Sequence, residues 1–499
     1  MTMATKKSAK SARKATKKKA AKKKAAKRKV AKKKVAKKKV AKKKVAKAAS
    51  ARTRTKTPPR KSAPAPKSGK PPGSAAGTGK IRVRMYRIGF GDFFLVSVPS
   101  KAGYKHILID CGVHAKDAGS IVDSVTQMAQ ETNSELALLI MTHRHADHIS
   151  GFSKCKDVFS KFKVERIWMS WYENPDDKDA KKLQANITAL ASQIYHSLAA
   201  RNDPEAEQYM NMVQNITGEA MAGAAGMNQD ALEMLHNFPG KPPIDFYKAN
   251  DKPTLPQSLV DAGLSAQILG PPIDAALIKK TNNKSEEYLA INDGSDGGGG
   301  GEPFPRAYLV PSGRYPKSAF DIVPRAEIER RVSAVQPDTM AARAAMANNL
   351  INNQSLVVLF TYNGKTLLFA GDAQWGNWAN FLFGGQASGD LTATSKALLG
   401  KLDFYKVGHH GSTNATPKDA LAAMRDGCVA MCSTEPKAYN EVPREPLMEA
   451  LDEKTKNQFV RSDQIAAGKY QKVDPKIGAV PDVFKTTSTK TFGYIDYEF

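Results

Sequence analysis

The chain has 499 residues, with 77 Lys and Arg against 48 Asp and Glu, a formal net charge of +29. That length allows two or three domains, or one large domain with tails. The charge is not spread evenly: residues 1–80 hold 32 Lys and Arg and no acidic residue, leaving 45 basic and 48 acidic residues for the rest. This excludes a uniformly basic globular protein and describes a near-neutral body that carries a polycation.

Four cysteines, Cys111, Cys155, Cys428 and Cys432, are too few and too scattered for a disulfide framework, and none forms C-x-x-C. Cys428 and Cys432 sit in an apolar run and read as packed thiols. No apolar stretch approaches the length of a membrane span, and the basic N-terminus lacks the apolar core of a signal peptide. A reducing cytoplasm, without a membrane partner, is the expected setting.

Residues 1–56 form a Lys/Ala-rich tail whose centre, 16–47, repeats in pentads: TKKKA, AKKKA, AKRKV, three copies of AKKKV, then AK. Five residues turn a helix about 140° beyond one full turn, so lysines reach every face and no apolar stripe forms. Such a segment is expected to be disordered alone. Lys17, Lys18, Lys19, Lys32, Lys33, Lys34, Lys37, Lys38, Lys39, Lys42, Lys43 and Lys44 are the candidate nucleic-acid contacts. They would bind backbone phosphates through counterion release, DNA ahead of RNA, without reading bases, because the tail has no aromatic residue. The block resembles the Lys/Ala-rich tails of linker histones and of bacterial histone-like proteins. A solubilising or targeting tail is the alternative. Residues 57–80 are a Pro/Gly/Ser-rich linker, and 81–499 the folded domain.

The body opens with strand patterns over Ile81–Ile88, Phe93–Val98 and His106–Asp110, the first two separated by Gly89-Phe90-Gly91-Asp92. A helix over 121–129 precedes the apolar run Leu136–Met141, which ends in Thr142-His143-Arg144-His145-Ala146-Asp147-His148. A buried strand running into H-x-H-x-D-H outlines a metal site, since imidazoles suit zinc and similar ions and a carboxylate favours a second, harder one. Val164–Trp171 reads as a strand. Over 177–237, Leu183, Ile187, Leu190, Ile194 and Leu198 recur at helical spacing, which predicts a helical insertion. His196 and His236 lie within it and are expected to pack or face solvent. Ser265–Gly270 returns to strand, and 273–305, with Gly297 to Gly301, reads as a flexible loop. Next come a hairpin, 353–360 and 366–372, with Asn363-Gly364 at its turn, and an apolar strand running into His409-His410-Gly411-Ser412. Asp372 stands at the end of the hairpin's second apolar strand.

Strand–THxHxDH, with these further pieces in order, resembles the metallo-β-lactamase superfamily. The opening G-x-G-D, the LID-x-G at Asp110, N-x-S-L-V at 353–357 and L-x-G-D at 372 resemble its ComEC-like branch, the soluble domain of competence DNA-uptake proteins. The resemblance implies an α/β fold, an αββα sandwich, interrupted by the helical insertion. It implies two divalent metal ions, Zn or Mn: His143, His145 and Asp372 around one, and Asp147, His148, Asp372 and His409 around the other. His409 and His410 could exchange roles, and His410 is otherwise left for substrate phosphate or proton transfer beside Asp147. Asp110 and Asp92 would support the ligands from behind. Two departures stand out: Phe90 replaces the branch's usual Gln, and Val442-Pro443 replaces its His-Pro. The implied activity is a metal-dependent phosphodiesterase or nuclease on DNA, using a metal-activated hydroxide, in a cytoplasmic, nucleoid-associated protein. Two alternatives stay open: a hydrolase of small esters, lactones or nucleotides, and a chromatin-like DNA-binding protein with an inactive metal fold.

Overall fold

The structure, a computed structural model, describes residues 79–114, 121–199, 227–288, 346–436, 442–471 and 473–499. All of them belong to the second of two units into which the chain divides, Pro72–Phe499. The tail lysines, most of the linker, residues 200–226 of the insertion and the glycine run Gly297–Gly301 lie outside the described residues.

The unit is mixed α/β with two mixed sheets. The eight-stranded sheet has the order β13-β14-β1-β2-β3-β4-β5-β6. Its strands are β1 (Arg82–Tyr86), β2 (Phe93–Ser100), β3 (Gly103–Cys111), β4 (Glu135–Met141), β5 (Lys163–Ser170), β6 (Ile244–Tyr247), β13 (Lys485–Ser488) and β14 (Gly493–Glu498). From β3 to β6 they run parallel; the remaining pairs are antiparallel. The six-stranded sheet has the order β12-β11-β10-β9-β8-β7, built from β7 (Leu264–Gly270), β8 (Val357–Tyr362), β9 (Lys365–Phe369), β10 (Phe404–Lys406), β11 (Val429–Cys432) and β12 (Phe459–Arg461). Here β9 to β12 run parallel, and β7 and β8 complete the sheet antiparallel.

Alternation along the strands decides the layers, because successive side chains leave a strand on opposite faces. Met85, Phe94, Ile107 and Ile140 from the first sheet share one buried core with Phe360, Phe369, Phe404 and Met431 from the second. The other face of the first sheet (Leu95, Leu108, Leu139) packs on helices α1 (Ile121–Glu131), α2 (Ala146–Lys154) and α4 (Met227–His236). The other face of the second (Leu359, Leu368, Tyr405) packs on α5 (Trp375–Leu382) and α6 (Glu445–Thr455). Both sheets therefore have one face on the shared core and one under helices.

Phe369 is central to that core: its ring lies 6.2 Å from Phe94 across the sheets, 6.1 Å from Phe360 and 5.3 Å from Phe404. Removing a fully buried phenyl costs about 3–5 kcal/mol through lost transfer energy and the cavity left behind. Phe369→Ala should therefore lower the denaturant midpoint markedly while a folded baseline survives.

The tight turn at Asn363-Gly364 forms as expected, both residues having positive φ, 48° and 77°. From the insertion, α3 (Lys178–Ala199) buries Ile187 and Ile194 against Trp171, Ile278, Leu350 and Ile351. The expected loop at 273–305 is not loop throughout: Ala275–Ile278 is helical and buries Leu277 and Ile278. The Leu277 and Ile278 side chains have core partners, which overrides the turn composition around them. All four cysteines are buried free thiols. Among the described residues no helix is long and apolar enough to cross a membrane.

Candidate metal centre

Apart from Asp92, which precedes β2, the sequence-predicted body residues of the centre lie at the carboxyl ends of strands. Asp110 ends β3; His143, His145, Asp147 and His148 follow β4; Asp372 follows β9; His409 and His410 follow β10. These four strands lie in the parallel parts of the two sheets, whose carboxyl ends are where open α/β sheets place ligands. The turn after β4 passes directly into α2, so Asp147 and His148 sit in that helix's first turn. Gly112 makes this possible, since a Cβ there would come within 2.4 Å of the His148 backbone nitrogen. Gly371 (φ 53°) similarly brings Asp372 under Ser355, whose hydroxyl oxygen accepts from the Asp372 amide at 3.0 Å.

Asp147, His148, Asp372 and His410 each offer one ligand atom, and these atoms lie within 4.8 Å of one another, all buried. The carboxylate Oδ2 of Asp372 is at the middle: 3.1 Å from His148 Nε2, 3.6 Å from His410 Nε2 and 4.0 Å from His143 Nε2. His410 Nε2 is 3.2 Å from Asp147 Oδ2, and His143 Nε2 is 3.1 Å from His145 Nδ1. Two donors that share one ion at about 2.1 Å stand roughly 3–3.5 Å apart, so these spacings suit ligation.

The far nitrogens of the His148, His410 and His143 rings are held from behind. Asp110 accepts from His148 Nδ1 at 2.8 Å, while its two oxygens also accept from the amide (2.8 Å) and hydroxyl (2.7 Å) of Thr142. His410 Nδ1 donates to the Ser433 carbonyl at 2.9 Å. His143 Nδ1 lies 3.1 Å from the Thr142 hydroxyl and 3.3 Å from that of Ser355. These partners fix which nitrogen of each ring faces the cluster. Asp92 lies 3.7 Å from His148 Nδ1 and 3.5 Å from His410 Nδ1.

His409 is the exception to the expected ligand set. Its ring points to the edge of the cluster, with Nε2 at 3.1 Å from the Asn352 amide nitrogen, and His410 takes the inner place. The reason is backbone geometry: both histidines have positive φ, 45° and 51°, and the chain turns the second ring inward. No sequence spacing signals that. Sequence reading also missed Lys406, a fully buried ammonium that pairs with Asp92, approaches Asp372 Oδ1 at 3.7 Å and donates to the Gly371 carbonyl at 3.1 Å. Its only cue is a lysine inside the apolar run Phe404–Val407. His236, within the insertion, stacks on Phe246 instead, at 6.1 Å. The side chain of His196 lies outside the described residues.

Charge in the cluster is mutually compensated. Burial alone would lower the His148 pKa, but Asp372, Asp110 and Asp92 outweigh it and hold the imidazole well above its ordinary value. Burial would raise Asp372, yet His148 and His410 hold it well below the carboxylate range. His410 is likewise raised, against its burial, by Asp372 and Asp147. Burial drives the other way at His145, lowering it to about 4.

Do these residues fit a metal ion? Among the described residues His145 Nε2 and Asp147 Oδ1 are buried with no hydrogen-bond partner, an arrangement that costs free energy unless a further group binds there. Imidazole and carboxylate are also the donor types that divalent ions take. The buried His and Asp groups are thus close enough, and suitably unsatisfied, to hold a metal ion. Because His148 and His410 are raised, a cation has to displace their protons. Zn²⁺ binding should therefore release protons near neutral pH and weaken as pH falls, which calorimetry in two buffers of different ionisation enthalpy would measure.

Comparison with known proteins gives no assignment: no family model matches the chain, and no curated protein does.

Proposed function

We propose that this chain is a metal-dependent hydrolase of the metallo-β-lactamase type, close to the ComEC-like branch, and that it cleaves phosphodiester bonds in DNA. The observation that carries the reading is the convergence of Asp147, His148, Asp372 and His410, from three separate strand ends, on one buried point. Two sheets that share a core beneath outer helices support the αββα sandwich, and the motifs lie at the strand ends that such a sandwich uses.

Within this reading, His143, His145 and Asp372 would hold one ion, and Asp147, His148, His410 and Asp372 the other, either Zn or Mn. Divalent cations in such a site acidify water and offset charge that builds on a phosphoryl oxygen. The chain's own residues supply geometry. Asp110 and Ser433 keep the His148 and His410 rings from turning, so both Nε2 atoms stay aimed at Asp372. The His409 amide donates to Asp372 Oδ1 at 3.0 Å and leaves Oδ2 for the cluster. Lys406 balances Asp92 and Asp372, limiting the repulsion among four buried aspartates.

The Lys/Ala tail would deliver this centre to DNA by binding backbone phosphate without sequence preference, in a cytoplasmic, nucleoid-associated protein. The test is direct. Full-length protein with Mn²⁺ or Zn²⁺ should cut supercoiled or single-stranded DNA, and chelator should stop it. Intact DNA with either ion would remove the nuclease reading.

A further inference from the structure

A substrate has to reach Asp372, and the burial pattern shows where. His143, His145, His148, His410, Asp147 and Asp372 are all buried, whereas His409 is half-buried. His409 thus stands where the cluster meets solvent. Its left-handed φ of 45°, unusual for a residue with a Cβ, is the sort of backbone strain found at working sites.

The groups around this ring fix its orientation. The Asn414 amide nitrogen donates to the Thr281 carbonyl at 3.3 Å and to Asn282 Oδ1 at 2.9 Å, which leaves Asn414 Oδ1 as an acceptor. The Ser412 hydroxyl donates to that oxygen at 3.0 Å. His409 Nδ1, 2.6 Å from Ser412 Oγ and 3.1 Å from Asn414 Oδ1, therefore carries a proton toward them. In the neutral ring Nε2 is then an acceptor, and Asn352 donates its amide N–H to it at 3.1 Å. One atom is left over: among the described residues Asn352 Oδ1 has no hydrogen-bond partner, although the residue is only 1% exposed. A buried carboxamide oxygen without a donor is costly, and a site built to accept a hydrogen bond discriminates strongly against ligands that lack the donor.

We infer that Asn352 is a specificity-determining residue of the centre: its free carboxamide oxygen, held in place by His409, accepts a hydrogen bond from a hydroxyl or N–H of the nucleotide beside the phosphodiester. The inference rests on the phosphodiesterase reading above and adds to it a preference for nucleotides over phosphodiesters without donors.

The experiment compares two substrates with Mn²⁺-loaded full-length protein: thymidylyl-thymidine, which carries hydroxyl and N–H donors, and bis(p-nitrophenyl) phosphate, which carries none. Asn352→Ala should retain the wild-type metal content, and its kcat/KM should fall at least tenfold further on the dinucleotide than on the aryl diester. Asn352→Ser keeps a hydroxyl for its neighbours but shortens the reach, so it should show the same split if the alanine variant does not fold. Equal losses on both substrates, no loss on either, or loss of metal from the variants would overturn the inference. A wild type that cleaves neither substrate would instead overturn the phosphodiesterase reading, and this inference with it.

Discussion

Replacing Asp372 with alanine should abolish turnover and strip the centre of most of its affinity for Zn²⁺ or Mn²⁺. The Asp372 carboxylate faces the Nε2 atoms of His148, His410 and His143 at 3.1, 3.6 and 4.0 Å, so both proposed ligand sets lose the same group. Removal also leaves His148 and Lys406 without one of their compensating charges in a buried setting. Charge stabilisation worth several kcal/mol then disappears, and since 1.36 kcal/mol is tenfold in rate, kcat should fall about 10³-fold or more. Steady-state rates and metal content measured on the same preparation check this. A variant that keeps both would show that Asp372 is only a buried strand-end acid.

The second large effect concerns the tail. Deleting residues 1–80 removes 32 positive charges and leaves a body with 45 basic and 48 acidic residues. A protein that neutralises 6–10 phosphates loses about 10³–10⁵ in affinity between 50 and 200 mM salt, because bound counterions have to be displaced again. The full chain should show that steep dependence on any DNA sequence, and the truncated chain should bind weakly with a shallow slope. Cleavage of bis(p-nitrophenyl) phosphate should survive the deletion. DNA binding of equal strength and salt dependence in both forms, measured by fluorescence anisotropy, would move nucleic-acid contact away from the tail.

How much of this was legible in the chain depends on how locally each feature is encoded. The histidine loop is contiguous: four candidate ligands fall between His143 and His148, straight after an apolar run, so their convergence needs one turn only. The hairpin that presents Asp372 was equally plain, because Asn-Gly is chemically suited to its two positive-φ positions. The choice between His409 and His410 was not legible. Consecutive residues normally diverge, but which of the two turns inward goes with φ angles of 45° and 51° and with contacts to Asp372 and Ser433 from distant parts of the chain. Lys406 was hidden for a related reason. A lysine in a strand reads as a surface group until two aspartates from elsewhere meet it in the interior. The last strand, β14, escaped pattern reading because buried Asp496 interrupts its apolar face; Arg84 on the neighbouring β1 forms two 2.7 Å hydrogen bonds with it. The tail announces itself by charge alone, and its pentad period says which faces carry lysine but not what they meet.

The most direct measurement is metal stoichiometry. Full-length protein, dialysed against Zn²⁺ or Mn²⁺ and then against metal-free buffer at neutral pH, should retain about two ions per chain by elemental analysis, and Asp372→Ala should retain few or none. A wild-type protein that emerges with no bound divalent ion would contradict the account, since the imidazoles and carboxylates gathered around Asp372 would then be a buried charge network with no cation to serve.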